Sequence, residues 1–235
     1  MATVLIGSAR IDEHGNASGG KAGDQKQKAN NPDLVGEVSV QNYYLHKQGW
    51  RVLRPNRNAH ELAFAMLRAC NNPNIGYDQN QRLGVVQHGT DTNVATECDC
   101  SSLVRQCVKE ATGVDVGNFT TINEAQTLIK SGLFREVVLD KNTLQEGDVL
   151  VTKTKGHTAI VVQGAVASTS SVAYYAKYTG NTPSIVKALN EIKVDSSFAY
   201  RAKIAAANGI RNYSGTASQN TLMLNLLKMG KLVKA

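Results

Sequence analysis

The chain has 235 residues and a formal net charge of +7. This length suits one catalytic domain with a small second module, and the residue usage excludes a disordered protein. No run of residues is apolar enough to predict a membrane span. Residues 1–10 hold only a short apolar patch, so no secretory signal peptide is expected.

The first predicted helix lies over residues 60–70. Its apolar positions recur at helical spacing and fall on one side: Leu62, Ala63, Met66, Leu67, Cys70. The helix is expected to end at Asn71-Asn72-Pro73-Asn74. Ile75-Gly76-Tyr77 then leads into a segment that contains two cysteines.

The segment Glu97-Cys98-Asp99-Cys100 places a thiol where a polar loop gives way to a periodic apolar run. That run predicts an amphipathic helix that begins near Asp99: Leu103, Val104, Cys107, Val108, Ala111. In the first turn of a helix, the unpaired backbone N–H groups and the dipole stabilise a thiolate. Cys100 is therefore the candidate nucleophile.

Residues 147–152 and 157–162 are two β-rich runs separated by a polar loop with Gly156, which predicts a hairpin. His157 opens the second strand, where an imidazole can face a cleft. A helix that carries Cys packed against a sheet that carries His is the papain-like arrangement, and the order Cys before His fits it.

These residues resemble two signatures of the NlpC-type papain-like cell-wall peptidases. Asp99-Cys100-Ser101-Ser102-Leu103-Val104 is similar to the first, with Ser102 in place of the usual Gly. Gly147-Asp148-Val149-Leu150 with Gly156-His157-Thr158-Ala159-Ile160-Val161 is similar to the second. The likeness covers roughly residues 70–164. The segment from Ile6 to Gln25 is similar to the start of phage endolysins that carry such a domain.

The resemblance implies a cysteine peptidase or N-acetylmuramoyl-L-alanine amidase that hydrolyses amide bonds of bacterial peptidoglycan. Cys100 would attack the carbonyl carbon and His157 would take the thiol proton. Tyr77 would help to hold the oxyanion. Asp99, which can also cap the helix, and Ser101 would bind the free amine of a stem peptide. The expected fold of residues 1–164 is α+β, with the Cys helix packed on a small antiparallel sheet.

The third catalytic residue is not apparent from the sequence. The family usually supplies it from the strand after the His strand, and no matching His, Asn or Asp follows Val162. Upstream candidates are Asp24, Gln25 and Glu37, which lie in or beside a Gly-rich polar stretch. The remaining histidines are expected to be exposed or structural: His14, His46, His60, His88.

No metal and no cofactor is expected. Cys98 and Cys100 could belong to a zinc site, but no second Cys or His pair lies at finger spacing. A Cys98–Cys100 disulfide would close a small, strained ring and disable the nucleophile. Cys70 and Cys107 are expected to be small buried hydrophobic residues.

The positive charge is concentrated at the C-terminal end. Residues 172–235 hold nine basic and two acidic side chains, which accounts for the whole net charge of +7. A basic module beside a neutral domain indicates an anionic polymer partner. Charge alone does not choose among such polymers. With the cell-wall resemblance beside it, we expect peptidoglycan and anionic wall polymers as partners, and no nucleic acid.

Residues 164–171 are small and polar, so a linker is predicted over 165–175, between a catalytic domain at 1–164 and a module at 176–235. Three helices are predicted in this module: one after Ser184 as N-cap, one from Ser197 to Asn208, and one from Ser218 to Met229. The stretch Ile204-Ala205-Ala206-Ala207-Asn208-Gly209-Ile210 is similar to part of the glycan-binding LysM pattern, whose remaining positions are not matched.

Two further functions remain open at this point. The papain-like domain could be inactive and serve a cell-wall-binding protein, or it could be an acyltransferase of the same fold. The endolysin resemblance and the expected lack of a signal peptide imply a location in the host cytoplasm until lysis, and then at the cell wall.

Overall fold

A computed structural model of the protein describes residues 3–25, 36–154, 156–165, 173–210 and 212–235. The chain divides into two compact units, residues 1–168 and 169–235. Residues 166–172 of the predicted linker lie outside the described residues. None of the helices in the described ranges is long and apolar enough to cross a bilayer.

The described part of the first unit contains eight strands and four helices. The strands are β1 (Leu5–Ala9), β2 (Val38–Asn42), β3 (Trp50–Pro55), β4 (Ile75–Tyr77), β5 (Thr96–Cys98), β6 (Phe134–Val137), β7 (Val149–Thr152) and β8 (Thr158–Gln163). The helices are α1 (Ala59–Cys70), α2 (Gly84–His88), α3 (Cys100–Thr112) and α4 (Glu124–Lys130). The helices predicted over 60–70 and from Asp99 are thus present.

Six strands form an antiparallel sheet in the order β2-β1-β8-β7-β3-β6. The predicted hairpin is β7–β8, with Leu150 opposite Ala159. Both strands are almost entirely buried, because each lies between two neighbours in the middle of the sheet. The predicted antiparallel sheet is confirmed.

The two faces of the sheet are covered differently. One buried cluster contains strand side chains that alternate inward on one face, together with Leu144 from the segment before β7: Ile6, Trp50, Val52, Leu150, Ala159, Val161. Helices α1 and α3 pack on each other and on β1 and β8. The Cys helix therefore packs on the sheet, as the sequence predicts, while assignment to the papain-like class stays a prediction.

The strands β4 and β5 form a separate parallel pair, in which Tyr77 lies opposite Cys98. A parallel pair needs a crossover connection. Here residues 78–95 supply it and include α2. After this crossover, β5 lies beside Tyr77 just before α3 begins.

The second unit contains the three predicted helices, α5 (Ile185–Glu191), α6 (Phe198–Ala207) and α7 (Ala217–Met229). Ser184 and Ser197 cap α5 and α6 through their hydroxyls. Helix α7 begins one residue earlier than predicted, because Thr216 and Gln219 form a capping box.

The LysM-like stretch lies in the core of this second unit. Ile204, Asn208 and Ile210 are buried. The Asn208 amide donates to the carbonyl oxygens of Ile204 and Val233 and accepts the N–H of Val233. Asn208 thus fastens the end of α6 to the C-terminal segment.

Candidate active site

Helix α3 begins at Cys100 because Asp99 caps it. Asp99 Oδ1 accepts the backbone N–H of Ser102 at 2.6 Å, and Ser102 Oγ accepts the backbone N–H of Asp99 at 2.9 Å. This reciprocal pair is a capping box, which satisfies N–H groups that a helix start leaves unpaired. Cys100 therefore occupies the first helical position, with 8% of its surface exposed.

The two substrate-binding candidates, Asp99 and Ser101, are both held by Arg82. The guanidinium donates to Asp99 Oδ2 at 2.5 Å and to Ser101 Oγ at 2.9 Å. It also donates to Asn118 Oδ1 and to the carbonyl oxygen of Phe119. Arg82 thus ties the start of α3 to the segment before α4. Binding of a free amine by Asp99 and Ser101 stays a prediction.

The first residues of β8 meet the thiol from the sheet side. The backbone of Thr158 lowers the pKa of the Cys100 thiol, which places its N–H group near Sγ. His157 is the residue before Thr158. Its backbone N–H donates to Thr152 Oγ1 at 3.1 Å, while the backbone N–H of Thr152 donates to the His157 carbonyl oxygen at 3.0 Å. These bonds fix the hairpin end that carries the imidazole.

The imidazole of His157 is partly exposed and packs near Trp50, with ring centroids 6.2 Å apart. Its Nε2 atom is buried and has no hydrogen-bond partner among the described residues. Burial lowers the pKa of His157 to about 4, and the charges of His46 and Arg10 act in the same direction. His157 is therefore a neutral base at neutral pH, with one ring nitrogen unpaired.

The Cys100 thiol is also neutral at rest. Burial raises the pKa of Cys100 above its usual range, and the carboxyl groups of Asp99 and Glu124 raise it further. The N–H groups of Thr158 and Ser101 oppose this shift but are outweighed. The expectation that the helix start makes Cys100 a thiolate is therefore wrong for the free protein, because desolvation exceeds the effect of the N–H groups.

The oxyanion candidate Tyr77 comes close to the thiol through the β4–β5 pair. It is buried, its hydroxyl accepts a hydrogen bond from Gln79 Nε2 at 3.0 Å, and it lies opposite Cys98. Burial raises the pKa of Tyr77, and the Cys100 thiol raises it further. Its phenol therefore keeps the proton that an oxyanion donor needs.

The upstream candidates for the third catalytic residue surround Tyr77. Glu37 accepts the backbone N–H of Gln25 and, at 2.5 Å, that of Tyr77, while its own N–H donates to Asp24 Oδ1. The contacts of Glu37 thus support the strand that carries Tyr77. The charges that act on His157 are those of His46 and Arg10. A role of Asp24, Gln25 or Glu37 beside the imidazole stays a prediction.

A buried carboxyl pair lies behind this strand. A Cβ added at Gly76 would lie 2.8 Å from Glu97 Oε2 and 2.9 Å from Glu37 Oε2, so both carboxyl groups border Gly76. Both oxygens of Glu97 are buried without a hydrogen-bond partner among the described residues. Burial raises the pKa of Glu37 to about 7 and that of Glu97 to about 8.

The four cysteines are free. The Cys98 thiol donates to the Gly76 carbonyl oxygen at 3.3 Å, and burial raises the pKa of Cys98 and of Cys107. Within the described residues, no three His, Cys, Asp or Glu side chains come together as metal ligands would. Only Cys100 lies where a helix start meets the His157 strand.

A polar cleft of about 580 Å³ opens beside Arg82. The amide side chains of Gln79, Gln81 and Gln87 line it, together with His88. Amides both donate and accept, which suits a ligand that carries hydroxyl and amide groups. Since Arg82 also contacts the cap of α3, this cleft lies next to the helix start that carries the thiol.

Several groups at the site were not identified from the sequence. Arg10 and His46 act on His157, and Tyr44 is close enough to Cys100 for the thiol to raise the pKa of its phenol. Arg82 and Glu124 lie far from Cys100 along the chain. Only their position in the fold brings them together, and no local motif marks them.

The family described as Endolysin-like domain matches residues 6–168 of the chain. The chain belongs to this family. Its endolysin-like domain corresponds closely to the first compact unit, residues 1–168, which holds Cys100 and His157.

Two phage proteins are similar to shorter parts of the chain. An L-alanyl-D-glutamate peptidase of Listeria phage A118 is 49% identical over 69 residues, which is 29% of this chain and 25% of that protein. An endolysin of Listeria phage A511 is 52% identical over 46 residues, 20% of this chain and 14% of that protein. The chain thus spans a quarter or less of these relatives, and neither likeness extends over the whole endolysin-like domain. No solved structure matches the chain.

We predict that Arg82→Gln lowers the free energy of unfolding by roughly 2 kcal/mol, because it leaves the buried Asp99 without its cation. Urea unfolding measures the change. Arg105→Gln is the matched control: Arg105 lies on α3 and forms a bidentate pair with the more exposed Asp115. Loss of that pair is expected to cost less than about 1 kcal/mol. Equal losses in the two variants would contradict a special role of Arg82 at the helix cap.

We predict that Glu97→Gln stabilises the protein increasingly as the pH rises from 5 to 8. Folding raises the pKa of Glu97 from 4.5 to about 8, so the folded state binds a proton that the unfolded state releases. Wild-type stability should therefore fall by up to about 1.4 kcal/mol per pH unit from this group, whereas Gln does not titrate. Urea unfolding at pH 5, 6.5 and 8 measures the difference.

The exposed Glu136, paired with Arg51, supplies the control for this titration. Its pKa is lowered by that hydrogen bond, so Glu136→Gln should destabilise slightly and by a constant amount between pH 6 and 8. A Glu97→Gln difference that does not change with pH would show that Glu97 is ionised in the folded protein.

Proposed function

We propose that residues 1–168 form a cysteine hydrolase that cleaves amide bonds of peptidoglycan, with Cys100 as nucleophile and His157 as base. The observation that carries this proposal is the junction of α3 and β8. The thiol lies at the start of α3, which packs on β8, and the N–H of Thr158, the residue next to His157, lies near it. The endolysin-like family and the two phage relatives support peptidoglycan as the substrate.

The proposed reaction starts from a neutral thiol and a neutral imidazole. As Cys100 Sγ attacks the carbonyl carbon of the substrate, the thiol proton passes to His157 and the carbonyl oxygen becomes an oxyanion. The C–N bond then breaks, and the leaving amine takes that proton. Water hydrolyses the thioester, which releases the acid and restores the thiol.

Three groups would orient the substrate in this reaction. Tyr77 would donate its phenolic proton to the oxyanion, because its raised pKa keeps the hydroxyl protonated. Asp99 and Ser101, already fixed by Arg82, would bind a substrate amine from the side of the helix start. The amide-lined cleft beside Arg82 would hold the neighbouring part of the glycopeptide.

The relative from phage A118 suggests which bond to test first, since its name specifies the L-alanyl-D-glutamate linkage. Digestion of a defined muropeptide, followed by mass analysis, distinguishes that cut from cleavage between sugar and peptide. It also distinguishes hydrolysis from acyl transfer. In the proposed setting the protein would remain in the host cytoplasm until lysis and would then act at the wall.

We predict that Cys100→Ala lowers the rate of wall lysis by at least about 100-fold, because no other thiol lies at the helix start. Loss of turbidity of purified cell walls measures the rate. Cys107→Ala is the control, since Cys107 is buried on the same helix but away from its start. It should keep activity and lose about 1 kcal/mol of stability. Full activity of Cys100→Ala would remove Cys100 as nucleophile.

We also propose that the second unit, residues 169–235, binds an anionic polymer of the wall. Its described surface carries exposed lysines on separate helices and loops, among them Lys177, Lys187 and Lys203. Clustered positive charge attracts an anionic polymer, and the attraction weakens as salt screens it.

We predict that the triple variant Lys177→Gln, Lys187→Gln, Lys203→Gln sediments with cell walls several-fold less than wild type at low salt. The Cys100→Ala background keeps the walls intact during the assay. The control neutralises three exposed lysines of the first unit and changes the net charge equally: Lys130, Lys141, Lys153. If both triple variants bind alike, the second unit is not the binding surface.

A further inference from the structure

The buried carboxyl group of Glu124 has no role in the reaction described above. Glu124 is the first residue of α4 and is fully buried. Its Oε1 accepts the hydroxyl of Thr158 at 2.7 Å, and its Oε2 is buried with no hydrogen-bond partner among the described residues. A carboxyl group held in this way is costly to bury, so its place beside the site requires an explanation.

Thr158 links that carboxyl group to both reacting side chains. Its hydroxyl binds Glu124, its backbone N–H lies near Cys100 Sγ, and its peptide bond joins it to His157. The hydroxyl of Thr158 is the point at which α4 holds the start of β8. A movement of Thr158 would displace its N–H group from the thiol. It would also shift the imidazole of the adjacent His157.

We propose that Glu124 is a positioning residue for the nucleophile and acts through the Thr158 hydroxyl. The effect of Glu124 on the rate of hydrolysis rests on the proposed function. The placement of Cys100 can be measured without that function, through the rate at which the thiol is alkylated. Glu124 touches neither the substrate nor the reacting atoms in this scheme.

The protonation state of Glu124 matters because of what surrounds it. The groups that act on it are the Asp99 carboxyl and the Thr158 hydroxyl, and its own carboxyl raises the pKa of the Cys100 thiol. Burial raises the pKa of Glu124 to about 8. The neutral acid therefore adds no negative charge of its own against a thiolate forming on Cys100 at neutral pH, where only Asp99 opposes it. Its ionisation above about pH 8 adds a second negative charge beside Asp99 and should slow the reaction.

The test uses the full chain and two pairs of substitutions, one pair at Glu124 and one at Thr158. Glu124→Gln keeps a carbonyl acceptor for Thr158, and Glu124→Ala removes it. Thr158→Ser keeps the hydroxyl, and Thr158→Val removes it at similar volume. Two rates are measured from pH 5 to 10: muropeptide hydrolysis, and alkylation of Cys100 by iodoacetamide, located by peptide mass analysis. Circular dichroism confirms that each variant is folded.

The expected result separates the members of each pair. Glu124→Ala and Thr158→Val should lower both rates by about 10-fold or more at pH 7, because the thiol and its N–H donor lose their alignment. Glu124→Gln and Thr158→Ser should stay within about 3-fold of wild type. The decline of wild-type hydrolysis above about pH 8 should be absent in Glu124→Gln, which a purely structural role would not produce.

Two outcomes would overturn the proposal. One is that Glu124→Ala leaves both rates unchanged. The other is that folded Glu124→Gln loses as much as Glu124→Ala and keeps the alkaline decline. If Thr158→Val does not fold, the pH profile of Glu124→Gln still decides. If the wild type hydrolyses nothing while Cys100 alkylation follows the expected order, the hydrolase proposal fails and the positioning role stands.

Discussion

The contact between the start of α3 and the start of β8, where the Thr158 N–H lies near Cys100 Sγ, joins the helical layer of the first unit to its sheet. On the helix side, the thiol is fixed by the Asp99 cap, which Arg82 holds in turn. On the sheet side, the hairpin bonds of Thr152 fix the segment that carries His157. Both halves of the proposed catalytic pair therefore depend on the same junction, and a shift of either layer would separate them.

Burial determines the resting chemistry of this junction. In a poorly solvated site the charged forms of thiol and imidazole are both disfavoured, which raises one pKa and lowers the other. The free protein therefore keeps a neutral pair, and in the proposed reaction the proton moves as the thiol attacks the substrate. A neutral thiol also resists oxidation and other side reactions, which follow thiolate character.

Features with a local signal were predicted from the sequence. The start of α3, the β7–β8 hairpin and the cap Ser184 follow from capping residues, alternation and turn residues that lie next to one another. Tyr77 was named from the sequence as the oxyanion candidate, a role that stays a prediction, and the parallel β4–β5 pair explains how its distance from Cys100 along the chain is closed.

Features that depend on the tertiary fold were not predicted. Arg82 reaches Asp99 from the crossover segment, and Glu124 reaches Thr158 from α4, with no periodic pattern to mark either residue. The direction of the pKa shift at Cys100 was also predicted wrongly, because the helix start is visible in the sequence whereas desolvation is a property of the packed site.

The topology of the sheet also sets the order in which the site is completed. Strand β8 is the last of the first unit, yet it inserts between β1, the first strand, and β7. Pairings across such a long sequence separation form slowly. A nascent chain that has already exposed Cys100 still lacks both His157 and the Thr158 N–H. The proposed nucleophile therefore acquires its surroundings only after nearly the whole first unit has left the ribosome.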